Sequence, residues 1–330
     1  MSSPPNTTPG ETARGEGVGG ALLPGAKSDP VEGRLPEAID STTTGDTRQA
    51  SLWSDAWREL RRNPIFVVAS ILLVVLTVMA AFPQLFTSTD PKSCDLANSR
   101  GGPGTNGAWF GYDLQGCDYY ANVIYGASVS MRIGVFVVGG ALLVGVVLGA
   151  LAGYYGGWFD SLMSRVTDIF FGLPLILGAI ILLNAFTGGR GVFEVGVALI
   201  AFGWMTILRL MRSSVISVKS SDYVLAARAL GASDWRIITT HILPNALAPV
   251  LVYATIAVGG IIAAEATLSF LGIGLQLPAI SWGLQIEGAR EFVRTSPHLL
   301  LIPSAFLSVT VLCFIMLGDA LRDALDPKLR

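Results

Sequence analysis

The chain has 330 residues, 52% of them hydrophobic and only 14% charged, with a mean hydropathy of +0.58, a balance that excludes an ordinary water-soluble domain and makes lipid the main solvent. The formal net charge is -2 and lysine stands only at Lys27, Lys92, Lys219 and Lys328, so there is no basic face for a nucleic-acid partner. Three cysteines at unrelated spacings and two histidines, His241 and His298, give neither a zinc pattern nor a CxxC redox pair, and no metal or cofactor is expected on this chain.

Residues 1–50 are rich in Pro, Gly, Ser and Thr and poor in large apolar side chains. They cannot bury enough surface to offset the entropy of ordering, and a disordered tail is expected. The first apolar run starts near Ile65, too late for the core of a cleavable signal peptide, so the first span is expected to direct insertion. Over 51–64, Leu52, Trp53, Ala56, Trp57 and Leu60 share one helical face opposite Asp55, Arg58, Glu59 and Arg61. That is the pattern of an amphipathic helix lying in the membrane interface.

Apolar stretches of the roughly twenty residues needed to cross a bilayer follow at 65–86, 131–153, 168–186, 192–211, 246–273 and 298–318. They predict an all-α membrane protein of six transmembrane helices with both termini on one side. Arg58, Arg61 and Arg62 precede the first span; Arg209, Arg212, Lys219, Arg228 and Arg236 crowd the segment around and after the end of the fourth; Arg322, Lys328 and Arg330 follow the last. Positive charge of this density assigns these segments, including the tail 319–330, to the cytoplasm. The loop 87–130 is then external and holds Cys94 and Cys117, whereas Cys313 lies in the last span. A Cys94–Cys117 disulfide would close a loop rich in Gly and Asn; two independent thiols are the alternative.

In the second span Gly145, Gly149 and Gly153 recur every four residues and line up a stripe against which another helix could pack closely. Residues 220–244 are too long for a plain turn and are patterned as two short helices. Ser221 is placed to cap the first, with Asp222 in its first turn, and Val224, Ala227 and Leu230 continue it to Gly231. Glycine there is expected to close the helix in the left-handed conformation. Ser233 and Asp234 restart a second helix through Trp235, Ile237 and Ile238, and Pro244, which disfavours helical geometry at Leu243, is expected to mark the return to the membrane. A DNA-reading helix-turn-helix has similar grammar, but not between two membrane spans without a basic face. Exposed Leu230, Trp235 and Ile237 would form an apolar patch of the kind that buries itself against another protein.

Glu265 lies about twenty residues beyond Asn245, and a rise of roughly 1.5 Å per residue carries it near the outer membrane boundary. A carboxylate is costly to expose to lipid there, so it is expected to face the protein interior or the outer end of a path, where a group on a partner chain could meet it. Enzyme classes fare poorly. There is no GxxxxGK[ST] loop, and the nearest approach, Lys27-Ser28, has no strand before it. A Ser or Cys hydrolase needs a base within reach, yet His241 and His298 are assigned to opposite sides of the bilayer. A channel or ion-coupled carrier would want several ionisable groups at mid-membrane and an internal repeat, and neither is visible.

The run Leu225-Ala226-Ala227, three residues, Gly231, nine residues, then His241-Ile242-Leu243-Pro244 resembles the EAA loop of binding-protein-dependent ABC transporter permeases. Leu225 stands where that motif has Glu, and His241 where it often has Ile. The longer string from Tyr223 to Pro249 is similar to the dipeptide and oligopeptide branch. Matches lie in order from Trp57 to Arg330: RRNP at Arg61 to Pro64, VIYGASVSMRIG at Val123 to Gly134, GALAGYYGGWFD at Gly149 to Asp160, ATLSFLGIGLQLPAISWG at Ala266 to Gly283, and GDALRDALDPKLR from Gly318. One departure is Gly116-Cys117-Asp118, where the family usually has Gly-Arg-Asp.

The resemblance implies a type I importer permease fold of the MetI-like kind, with a permease core at 131–318 and coupling helices between the fourth and fifth spans. It implies no catalytic residue on this chain. A second, homologous permease would complete a heterodimer, two ABC ATPase subunits or domains would bind ATP and Mg, and an extracytoplasmic substrate-binding protein would deliver a di- or oligopeptide. Glutathione or nickel chelates are alternative cargoes within the same branch. By that resemblance Tyr223, Ala226, Ala227, Arg228, Gly231, Ala232, Asp234 and Trp235 would couple to the ATPase and the location is the bacterial cytoplasmic membrane; Glu265, by its position in the fifth span, is the candidate on the translocation path.

Overall fold

The structure, a computed structural model, describes residues 57–186 and 188–325. The expected tail at 1–50, the first part of the amphipathic segment at 51–56 and the last residues of the C-terminal tail at 326–330 lie outside the described residues. Residues 57–60 are helical, a turn at 61–62 breaks the helix, and Asn63 begins a new one. The described part of the segment expected over 51–64 is therefore a short helix set apart from the first span by this turn. Asn63 Oδ1 accepts from the Ile65 N–H at 2.9 Å and Pro64 takes the first helical position, where its missing N–H costs nothing.

Helix α1 (Pro64–Ala81) is apolar on all sides, and Ile71 and Val74 remain exposed, as a lipid-facing span requires. Helix α2 (Tyr119–Tyr155) is capped by Asp118, whose Oδ1 accepts from the Ala121 N–H at 2.9 Å. It starts twelve residues before the span expected at 131–153, so the loop expected over 87–130 ends at Asp118. Tyr119 to Ser130 mix aromatic and polar residues and do not read as lipid-facing, yet Ala121, Val123, Ile124 and Ala127 are buried among neighbouring elements. At 37 residues α2 is about 55 Å long, well beyond the ~30 Å hydrocarbon core.

The single span expected at 168–186 is two helices, α3 (Gly157–Phe171) and α4 (Leu175–Ala185), bent by 90° at the break. Pro174 pushes Leu173 out of helical geometry and Gly172 offers no side-chain packing to resist the bend. Helix α5 (Val192–Lys219) outruns the expected 192–211, and helix α6 (Asp222–Ala229) follows it after a short turn. The stripe of small residues on α2 lies against α5: a Cβ on Gly149 would stand 2.6 Å from the Leu208 carbonyl oxygen, and one on Gly153 2.8 Å from that of Arg212. Backbone meets backbone along this seam.

Beyond Gly231, helix α7 (Asp234–Phe270) runs without a break through Pro244. The second short helix expected in the 220–244 loop and the fifth span are thus one element, and Leu243 is helical with φ −53° and ψ −49°. The helix widens into a π turn over Ile237–Ile242, where the Leu243 N–H reaches back five residues to the Ile238 carbonyl. This local widening makes room for the proline ring that would otherwise clash one turn back. Residues 271–281 then fold back on the end of α7, with the Gly274 N–H donating to the Leu268 carbonyl at 2.8 Å. Helix α8 (Trp282–Ala289) follows, and helix α9 (His298–Leu325) closes the described chain.

Among the described residues five helices are long and apolar enough to span a membrane, and the bent pair α3–α4 makes six. No strand occurs among them. The ends of these helices define two faces. One carries the turn at Gly231 and the start of α1; the other carries residues 82–118, the fold-back at 271–281 and α8. Each face has its own core. Val123, Ile124, Leu199, Ile262 and Trp282 anchor one, and Met211, Val215, Val224, Ile237 and Ile242 the other.

Candidate coupling surface and translocation path

The helix pair around Gly231 projects from the second of these cores. Val224, Ile237, Ile238 and Ile242 are buried and hold the pair to α2 and α5. Ile237, expected in the exposed patch, is instead fully covered by the chain's own side chains. On the outward side Leu230 is 88% and Trp235 74% exposed, with Tyr223, Ala226 and Arg228 beside them. Ala227 and Ala232 are half-buried. Gly231 has φ +80°, and a Cβ placed there would meet nothing within 4 Å. Backbone conformation alone requires glycine at this bend. Ser221 and Ser233 occupy the cap positions of α6 and α7, but neither side chain makes the capping hydrogen bond expected of Ser221.

Two of the exposed residues assigned from sequence to this surface, Arg228 and Asp234, also contact the chain's own Tyr154. The Tyr154 hydroxyl at the end of α2 donates to Asp234 Oδ1, and the Arg228 guanidinium lies 5.8 Å from the Tyr154 ring. Lys219 Nζ donates to the Tyr154 carbonyl. Nearby, Arg212 of α5 forms a two-pronged ion pair with Asp160 of α3, its Nη2 2.7 Å from Oδ2, and Arg209 Nη2 stands 2.6 Å from Asp168 Oδ1. In the sequence Arg209, Arg212 and Lys219 stand out only as topology charges, and Tyr154 only as part of a motif. Their clustering depends on how α2, α3 and α5 meet; the linear pattern displays the small-residue stripe on α2 but not its partner.

Between α2, α4, α5 and α7 lies a cavity of about 280 Å³ lined by Val138, Ala141, Phe202, Thr206, Tyr253 and Ala264, among others, with no charged side chain. Glu265, the residue next to Ala264, points elsewhere. It is fully buried inside the chain, where its Oε1 accepts from the Ser269 hydroxyl at 2.8 Å and the Ser281 hydroxyl at 3.2 Å. It faces the protein interior, the first of its two expected placements, and does not line this cavity. The carboxylate sits beneath the fold-back and ties it to α7 from within. The fold-back brings Ser281 sixteen residues onward into reach, a juxtaposition that helical spacing alone does not show.

On the opposite face Cys94 and Cys117 are joined by a disulfide, with Cα atoms 4.0 Å apart. Asp113 organises the loop they close: its Oδ1 accepts from the Gln115 and Cys117 N–H groups, both at 2.8 Å, and its Oδ2 from Asn122 at 3.2 Å. Burial pushes its carboxyl above the usual range, against the pull of the backbone donors. The loop packs on the start of α2 and on α8, enclosing a cavity of about 510 Å³ whose polar lining includes Lys92, Asp113, Gln115, Asn122, Gln285 and Glu287. Trp282 fixes α8 below it, its Nε1 donating to the Val123 carbonyl at 3.0 Å.

Residues 145–330 match the model of the binding-protein-dependent transport system inner membrane component, and residues 51–103 that of the N-terminal TM domain of oligopeptide transport permease C. The chain is 39% identical over 280 residues to the dipeptide transport system permease protein DppC of Alkalihalophilus pseudofirmus, covering 85% of this chain and 91% of that protein. It is 36% identical over 283 residues to the oligopeptide transport system permease protein OppC of Bacillus subtilis, covering 86% and 92%. It is also 36% identical over 279 residues to the glutathione transport system permease protein GsiD of Pectobacterium atrosepticum, covering 84% and 92%. A membrane-spanning helical fold with this spread of similarity places the chain in the family of binding-protein-dependent transport system inner membrane components, transport permeases of ABC importers.

Proposed function

We propose that this chain is half of the translocation path of an ATP-driven importer that carries di- or oligopeptides across the bacterial cytoplasmic membrane. The observation that carries this reading is the similarity over most of the chain to proteins named for dipeptide and oligopeptide transport. An uncharged cavity suits a cargo whose side chains vary, because it makes no ionic demand of them. Similarity to glutathione permeases favours one second reading, glutathione, itself a short peptide.

In this proposal a homologous permease supplies the other half of the path, and an extracytoplasmic binding protein presents the cargo. Two ATPase subunits or domains bind ATP and Mg and do the hydrolysis. Both termini and the Gly231 bend are cytoplasmic, as the arginines at that face favour. The exposed Leu230 and Trp235 seat in the ATPase, and the bend sets the angle between α6 and α7. The reconstituted complex of both permeases, the ATPase subunits and the binding protein provides the test. Peptide uptake that requires ATP, with a peptide recovered from the purified binding protein by mass spectrometry, is the expected result. A non-peptide ligand there would overturn the cargo, and uptake without the ATPases would overturn the mechanism.

A further inference from the structure

Tyr154 is 4% exposed, and four elements meet at it. Its hydroxyl donates to Asp234 of α7, its carbonyl accepts from Lys219 of α5, and its ring faces both the Lys219 ammonium at 5.2 Å and the Arg228 guanidinium of α6 at 5.8 Å. Lys219 is the last residue of α5 and sits where the carbonyl-rich end of α2 favours a cation. Asp234 occupies the first turn of α7, where the helix dipole favours a carboxylate. Ala150, Met211, Val215, Val224 and Ile237 complete the surrounding apolar core.

Backbone continuity joins the Gly231 bend to α5 and α7, but α2 has no such link to it. The α2–α5 seam holds α2 to α5, but the apolar contacts between the end of α2 and the bend itself are non-directional. A hydrogen bond to a charged acceptor has a direction and is stronger than a neutral one. We infer that Tyr154 is a positioning residue, a latch through which displacement of the bend is carried into α2 and hence along the α2–α5 seam. This role rests on the coupling function proposed above. A phenylalanine would fill the same space, so the hydroxyl is what separates a latch from simple packing.

The test uses the full complex in liposomes with a photo-crosslinking residue in place of Leu230. Tyr154→Phe, Asp234→Ala and the double variant are compared by peptide imported per ATP hydrolysed and by crosslinking of position 230 to the ATPase. Each single variant is expected to lower the import ratio about tenfold, the change that corresponds to one hydrogen bond to a charged group. The double variant should fall no further. Asp234→Asn, which keeps an acceptor oxygen, should recover part of the ratio, and the crosslink should persist throughout. An unchanged ratio in Tyr154→Phe with the crosslink intact, or losses that multiply in the double variant, overturns the latch but leaves docking standing. Loss of the crosslink only in Tyr154→Phe assigns the phenol to docking and overturns transmission. A missing crosslink in the otherwise unaltered complex overturns the docking reading itself, and the latch with it.

Discussion

Among the described residues Glu265 is enclosed on all sides, yet only one of its oxygens has partners. Oε1 takes two hydroxyl donors, while Oε2 is buried with no hydrogen bond. Glutamine keeps nearly the same volume and an acceptor oxygen for Ser269 and Ser281, so Glu265→Gln should assemble and transport at close to the original rate. Alanine leaves both hydroxyls without that acceptor and opens a void, at a cost of about 2 to 3 kcal/mol. Thermal unfolding of the purified complex measures the difference, and equal melting of the Gln and Ala variants would contradict the tethering role. Gly231 offers a second residue-scale test. Valine there must hold a left-handed backbone at a cost of about 1 to 2 kcal/mol, with no steric clash to add to it. Gly231→Val should lower import and substrate-stimulated ATP hydrolysis together, whereas Gly231→Asn, which tolerates that conformation, should retain most of both. Normal stimulated hydrolysis and uptake in Gly231→Val would make the loop a passive connector.

At the scale of the element, the α2–α5 seam sets the strictest demands. Gly149 faces a carbonyl oxygen that cannot swing away, while Gly139 on the same helix is exposed, and a Cβ added there would meet nothing within 4 Å. Gly149→Ala should reduce the yield of folded, monodisperse protein severalfold on size-exclusion chromatography, and Gly139→Ala should leave it unchanged. Comparable yields would mean that the seam opens without cost. The packing role of this stripe was legible in its four-residue period. Helix ends were less so. Tyr119 to Ser130 lack a lipid-facing face because their neighbours are protein, and hydropathy registers only the solvent. The signal for the α3–α4 bend, Gly172 and Pro174, is present in the sequence but lies inside a continuous apolar run. Pro244 misled in the other direction, since a π turn absorbs a ring that local rules treat as a stop.

At the scale of the whole molecule, the number of crossings, the family and the Gly231 bend could all be read from the chain. What could not be read is which residues far apart in sequence meet, as Tyr154 meets Asp234 or Trp282 meets Val123. The loop closed by Cys94 and Cys117 belongs to that category of contact, since it packs against α8. In non-reduced native protein both thiols should resist alkylation, and reduction should expose both; labelling of Cys94 and Cys117 before reduction would contradict the bonded loop. The same loop also has a history in time. Phe110 stacks edge-on against Phe306, and the Tyr119 hydroxyl reaches a carbonyl 180 residues further on. At roughly 5 to 20 residues per second of synthesis, the loop therefore emerges about ten to forty seconds before these two partners in the last helix do. During that interval the covalent bridge, together with bonds inside the loop such as the Asp95 N–H to the Gly116 carbonyl at 3.1 Å, holds the loop's shape, so that the last helix meets a surface already formed.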